Sequence, residues 1–191
     1  WHLLSPEEQF AYKKLAVFHG GFRREAAEKV AGAPLSLLFT LLDKSLLRRS
    51  SSGRFDMHTV LRQYVAEKLA QGADQVDASG VVQVTQTRLV QYYLGFARQH
   101  RADYAALDEE WVNLRTGLQL AHDQAMWQTV LAYAESLQAA SFALGRFTDV
   151  RLSSPWVLAA AQALADQPAM AACWRQWGRA CIEQGDYTEA A

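Results

Sequence analysis

The 191-residue sequence lacks the residue patterns from which catalytic and metal sites are usually built. It has no glycine-rich phosphate-binding loop, no His-Glu-x-x-His, no Cys-x2-Cys pair and no nucleophile matched with a base. Metal and hydrolase readings are left without support, and no catalysis is expected from this chain by itself. Its two cysteines, Cys173 and Cys181, stand eight residues apart in a helical stretch, which separates them by roughly 12 Å and excludes a mutual disulfide. A reducing, cytoplasmic setting is the default expectation. No uncharged apolar run approaches the roughly 20 residues that a membrane span needs, so no membrane partner is expected. No basic, apolar leader precedes the first helix.

Half of the residues are hydrophobic and one fifth are charged, a globular composition long enough for one large or two small cores. Charge divides unevenly: residues 1–70 hold 11 Lys/Arg and 7 Asp/Glu, net +4, and residues 71–191 hold 8 and 13, net −5. The break coincides with the polar, aperiodic stretch 71–80. Two domains are expected, residues 1–72 and 81–191, joined by a linker over 73–80. The opening on Trp1 and the closing turn Gly185-Asp186-Tyr187, followed by the first residues of a helix, suggest a fragment of a longer polypeptide.

The first half starts with Ser5-Pro6-Glu7-Glu8, an N-cap serine, a first-turn proline and a capping-box glutamate. That helix would bury Ala11, Leu15 and Phe18 and stop at Gly20-Gly21. A second helix is expected over about 23–31, ended by Gly32 and Pro34. The third, about 35–44, carries Leu35, Leu37, Leu38, Phe39, Leu41 and Leu42, too many for one stripe, and should be covered on most sides. Leu46–Ser50 and Arg54–Met57 read as strands joined by Ser51-Ser52-Gly53. A fourth helix follows, with Leu61, Tyr64, Val65 and Leu69 on its apolar face. Three helices, a hairpin and a closing helix make a winged helix-turn-helix.

A winged helix raises the question of DNA. The polar face of the third helix, Ser36, Thr40, Asp43 and Lys44, has no Arg, Asn or Gln to read a base edge, although Arg48, Arg49 and Arg54 on the hairpin could touch phosphates. The feature with the most chemistry is the run from Arg54 to Tyr64, where an extended segment ends in Met57-His58 and a helix begins at once. A histidine there sits beside unpaired helix N–H groups and the positive end of the helix dipole, a place suited to an anion. With no phosphate loop in these residues, any nucleotide touched by His58 must be held elsewhere. Arg62, one turn further on, is expected to be solvated.

The second half reads as all helix. Helices are expected over about 85–100, 108–122 and 126–144, with further starts at Ser154-Pro155 and Gln167-Pro168. From Trp174, the pattern Trp174-x2-Trp177-Gly178-x2-Cys181-x3-Gly185-Asp186-Tyr187-x2-Ala190 is similar to one tetratricopeptide motif, with Trp177 in place of the usual leucine. Leu144-Gly145-Arg146-Phe147 echoes its turn forty residues earlier, which suggests a degenerate repeat. Stacked helical pairs form a solenoid whose concave face commonly takes a protein or small-ligand signal. Trp111, Trp127, Trp156, Trp174 and Trp177 are expected to be interlocking core.

Three blocks in order, Leu15-Ala16-Val17-Phe18-His19-Gly20-Gly21-Phe22, Leu42-Asp43-Lys44-Ser45-Leu46-Leu47 and Gly53 to Tyr64, resemble the winged-helix region that follows the nucleotide-binding (NB-ARC-like) module of bacterial STAND-class signalling ATPases, several of which regulate transcription. The three blocks lie within residues 15–64. The resemblance implies that Met57-His58 matches the Met-His of the family's Met-His-Asp motif, whose histidine reaches the β-phosphate of bound ADP and holds the resting state closed. Thr59 stands where relatives often have Asp, so no contact is carried over to that position. The fold expected is therefore mainly α, a winged helix followed by an α-α superhelix of tetratricopeptide-like repeats. The function expected is that of a non-catalytic regulatory and sensor region whose partner is an intramolecular nucleotide-binding domain loaded with ADP or ATP. The alternative is a DNA-binding winged-helix regulator with a helical ligand-sensing or dimerisation domain.

Overall fold

The computed structural model describes residues 4–71 and 76–190, and it is mainly helical. In chain order the elements are α1 (Pro6–Leu15), α2 (Arg24–Ala26, running on as a π-helical turn over Ala27–Ala31), α3 (Leu35–Asp43), β1 (Arg48–Arg49), β2 (Phe55–Asp56), α4 (Thr59–Gln71), α5 (Val76–Gln99), α6 (Tyr104–Glu109), α7 (Trp111–Asp123), α8 (Trp127–Ala143), α9 (Phe147–Ala163), α10 (Gln167–Glu183) and α11 (Tyr187–Ala190). The chain forms two compact units, Trp1–Tyr92 and Tyr93–Ala191, which divide inside α5. Val76–Gly80, placed by the sequence reading in a linker, are the first turns of α5, and the rest of that linker lies outside the described residues.

In the first unit the Ser5 capping box forms with both of its reciprocal bonds. Glu8 also accepts Lys44 Nζ at 2.7 Å, which ties α1 to the end of α3 and holds the Glu8 carboxyl below the usual carboxylate range. α1 ends earlier than Gly20 would suggest. The N–H groups of Ala16, Val17 and Phe18 turn back to carbonyls three residues earlier, a tightening that swings Phe18 into the core. Phe18 stacks on Phe22 with centroids 4.5 Å apart, and Phe22 bridges to Phe55 through a pair of 2.8 Å backbone bonds. β2 thus lies between residue 22 and β1, in the register Arg48↔Asp56 and Arg49↔Phe55. Gly53, with φ 79°, closes the hairpin tip.

Two expectations for this unit need correcting. α3 is buried along one stripe, Leu38 and Leu41, while Leu35, Leu37 and Leu42 are half-buried and Phe39 is exposed. α4 buries Val65 but leaves Tyr64 38% exposed, because it packs on α1 along a narrower face than four apolar positions imply. The side chain of Leu69 lies outside the described residues.

The second unit is a stack of helices in which α7 packs on α8 and α9, α8 on α9, α9 on α10, and α10 on α11. Its turns share one device. Ala125, Gly145, Ala165 and Gly185, twenty residues apart, adopt left-handed φ of 53°, 66°, 53° and 76°. At each turn the next N–H reaches back to the carbonyl of Ala121, Ser141, Ala161 or Cys181 at 2.8–2.9 Å, closing a Schellman motif. The repeating unit is one helix and one turn. An L-residue in this region is strained relative to glycine, so Ala165→Gly should raise the stability of this unit by about 0.5–1 kcal/mol despite glycine's larger unfolded-state entropy. Chemical denaturation reads this directly, and a loss of stability would show that the turn carries no strain.

Further corrections fall here. The helix expected over 108–122 is broken at Glu110, whose carboxylate is buried and accepts Tyr93 Oη at 3.0 Å and Asn113 Nδ2 at 3.4 Å. Ser154-Pro155 starts no helix. Pro155 lies inside α9 on an exposed side, where its missing N–H removes a bond to the carbonyl of Arg151. Of the tryptophans among the described residues only Trp111 is buried; Trp127, Trp156 and Trp177 are half-buried and Trp174 is 51% exposed. Cys173 and Cys181 are both buried and form no disulfide, and no helix among the described residues is long and apolar enough to cross a membrane.

Candidate functional site

β2 and α4 put His58 where the sequence reading places it, two residues after the last paired strand residue, Asp56, and directly before the first helical residue, Thr59. Met57 is buried and anchors the segment, and the carbonyl of His58 accepts the first intrahelical bond from the Arg62 N–H at 3.0 Å. His58 is the N-cap of α4. Its ring is exposed, and Nδ1 accepts the N–H of Val60 at 3.3 Å.

That bond sets the chemistry of the ring. An imidazole whose Nδ1 accepts a backbone N–H carries its proton on Nε2, so the neutral ring presents one N–H donor. Protonating Nδ1 would strengthen the ring's attraction for an anion and break the cap, so full charge and the observed geometry exclude each other. The environment suits an acceptor with negative charge, because the dipole of a 13-residue helix points its positive end here. Val60 is 63% exposed, and Tyr64 stands one turn along the same face. The histidine is therefore flanked by apolar surface that packing within the unit leaves uncovered.

Arg62 is not solvated. Its side chain is 18% exposed, and its Nη2 donates to the Met57 carbonyl at 3.0 Å and lies 3.7 Å from Asp56 Oδ1. Helical spacing brings residue 62 back over residue 58, and the hairpin end closes over it. The sequence signal for this was the Asp56-x5-Arg62 pair, weak because nothing in it says which way the arginine turns. Thr59 is exposed at the first helical position.

The hairpin arginines part company. Arg54 donates to the carbonyl of Gly21 and belongs to the fold, whereas Arg48 and Arg49 are exposed on the edge strand. Charged side chains there also discourage pairing with another strand edge. The exposed face of α3 carries Ser36, Phe39 and Asp43.

In the second unit, α7 to α10 line a shallow groove that opens to solvent. Its floor is apolar, from Leu118, Leu137, Val150 and Val157, and the amides of Gln138 and Gln176 stand at its wall. Asp149, also on the wall, is engaged structurally, accepting Trp111 Nε1 at 2.7 Å and Arg115 Nη1 at 2.8 Å. The sequence reading missed this groove because its lining comes from four helices at no common local spacing. His122 stacks on Trp156 and meets Trp127 edge-on, and His100 stacks on Phe96 at 4.2 Å. No group of acidic, histidine and cysteine side chains suited to a metal occurs among the described residues. Comparison with family models, curated proteins and solved structures found no match.

Proposed function

We propose that this chain is the regulatory and sensor region of a STAND-type signalling ATPase of the cytoplasm. In this reading the first unit is a winged helix that closes over an ADP-loaded nucleotide-binding domain supplied by residues outside this sequence. The second is a tetratricopeptide-like solenoid that receives a protein or small-ligand signal. The observation that carries the reading is the exposed His58 ring at the start of α4, its Nδ1 engaged by Val60 and its Nε2–H available to a phosphate oxygen. Val60 and Tyr64 provide the apolar rim on which the nucleotide domain seats. The groove of the second unit, with two amides over an apolar floor, is suited to a peptide backbone, since an amide both donates to and accepts from a peptide bond.

Signal binding to the solenoid then draws the first unit from the nucleotide domain, and ADP exchanges. An N–H donated to an anionic phosphate is a charge-assisted bond worth about 1.5–3 kcal/mol net, enough to change the closed-state population by roughly tenfold to a hundredfold. In the full-length protein His58→Ala should therefore speed ADP release by about that factor. An unchanged release rate removes the latch.

A further inference from the structure

Among the described residues, Arg62 Nε is the buried side-chain nitrogen or oxygen that has no hydrogen-bond partner. Burying a guanidinium and leaving one of its N–H groups unpaired opposes folding, and a hydrocarbon side chain of similar length would fill the same space without that cost. Tyr12, on α1 where that helix packs on α4, donates its hydroxyl to the Leu46 carbonyl; burial pushes the pKa of its phenol up to about 12, and the Arg62 charge opposes the rise. Arg62 thus sits among α1, the end of β2 and the first turn of α4. What it grips is informative: the carbonyl of Met57, which belongs to the peptide plane leading into His58, and, more loosely, the carboxylate of Asp56.

We infer that Arg62 is the positioning residue of the His58 latch: by holding the Met57–His58 peptide plane from below, it fixes the direction in which the His58 Nε2–H leaves the surface. The inference rests on the phosphate reading of His58. Two restraints act on the ring, the Val60 N–H from the helix side and Arg62 through the preceding carbonyl. Losing the second leaves the ring attached to the same helix but free to turn about its entry, with Nε2–H aimed at the phosphate for a smaller fraction of the time.

The variant that separates positioning from plain structure is Arg62→Met, which keeps the length, removes the charge and removes the unpaired N–H. Its melting temperature should hold or rise, while ADP release from the full-length protein speeds up about threefold or more, towards the His58→Ala value, and the double variant releases no faster than His58→Ala. In this chain alone, NMR relaxation of the His58 ring should show an ordered ring in the wild type and a more mobile one in Arg62→Met. If Arg62→Met does not fold, Arg62→Lys replaces it, with intermediate release expected; failure of both to fold makes Arg62 a structural residue and overturns the inference. So does a folded Arg62→Met with wild-type release beside a fast His58→Ala. If His58→Ala itself releases ADP at the wild-type rate, the phosphate reading has failed, and the ring relaxation decides alone whether Arg62 sets its direction.

Discussion

Gly117→Ala should destabilise the second unit by about 2 kcal/mol, although alanine is the better helix former by about 1 kcal/mol. Gly117 is buried in the middle of α7 against Tyr133 of α8. A Cβ built there runs into the phenol oxygen of Tyr133, with the ring Cζ at 3.0 Å. The phenol cannot step aside, because its ring is fully buried and it is hydrogen-bonded to the backbone of Leu94; burial also drives its proton affinity far above that of an ordinary tyrosine. The substitution must therefore part the two helices or force the ring off its rotamer. Tyr133→Phe removes the nearest obstructing atom, so the double variant should lose less than the two single losses combined, by about 1 kcal/mol in a double-mutant cycle. Additive losses, or a more stable Gly117→Ala, would show that the helices do not meet at this point.

Asp149→Ala is expected to cost about 2–3 kcal/mol. The carboxylate joins α9 to α7 through two donors of unequal weight. Arg115 is half-exposed and its ion pair contributes at most about 1 kcal/mol. Trp111 is 7% exposed, and removing its acceptor strands a buried N–H at about 1–3 kcal/mol. Asp149→Asn keeps an acceptor for the indole and should lose less than half as much. Urea unfolding of the three proteins checks the order, and equal losses for Asn and Ala would place the energy in the ion pair instead. Because Asp149 also lines the groove, the Asn variant is the safer background in which to probe ligands.

How far these features could be read beforehand depended on whether a residue's type states its conformation. The Ser5 capping box, the Gln167-Pro168 helix start and the Gly145 and Gly185 turns were legible, since serine, proline and glycine each favour one local geometry. Ala125 and Ala165 occupy the same left-handed turn and were invisible, because alanine signals helix and is held in the turn by the packing of the helices on either side. This is why the period looked like a degenerate forty when it is a strict twenty. Pro155 misled for the converse reason: a proline that tertiary packing keeps inside a helix looks like one that begins it. Among the residues near His58, the histidine itself was found by its place before an amphipathic helix. Spacing alone reads Arg62 as solvated and Tyr64 as buried, and the structure reverses both, because which side of α4 meets α1 is decided by the hairpin between them.

The even spacing of the left-handed turns constrains how such a chain can change in length. From α6 to α11 each helix meets the next, and α6 also meets α8 and α7 meets α9, so these successive helices alternate between two rows. Loss or gain of two consecutive helices rejoins a row with itself and leaves every side chain facing as before. Loss of one splices the two rows together and exchanges inside for outside along everything that follows.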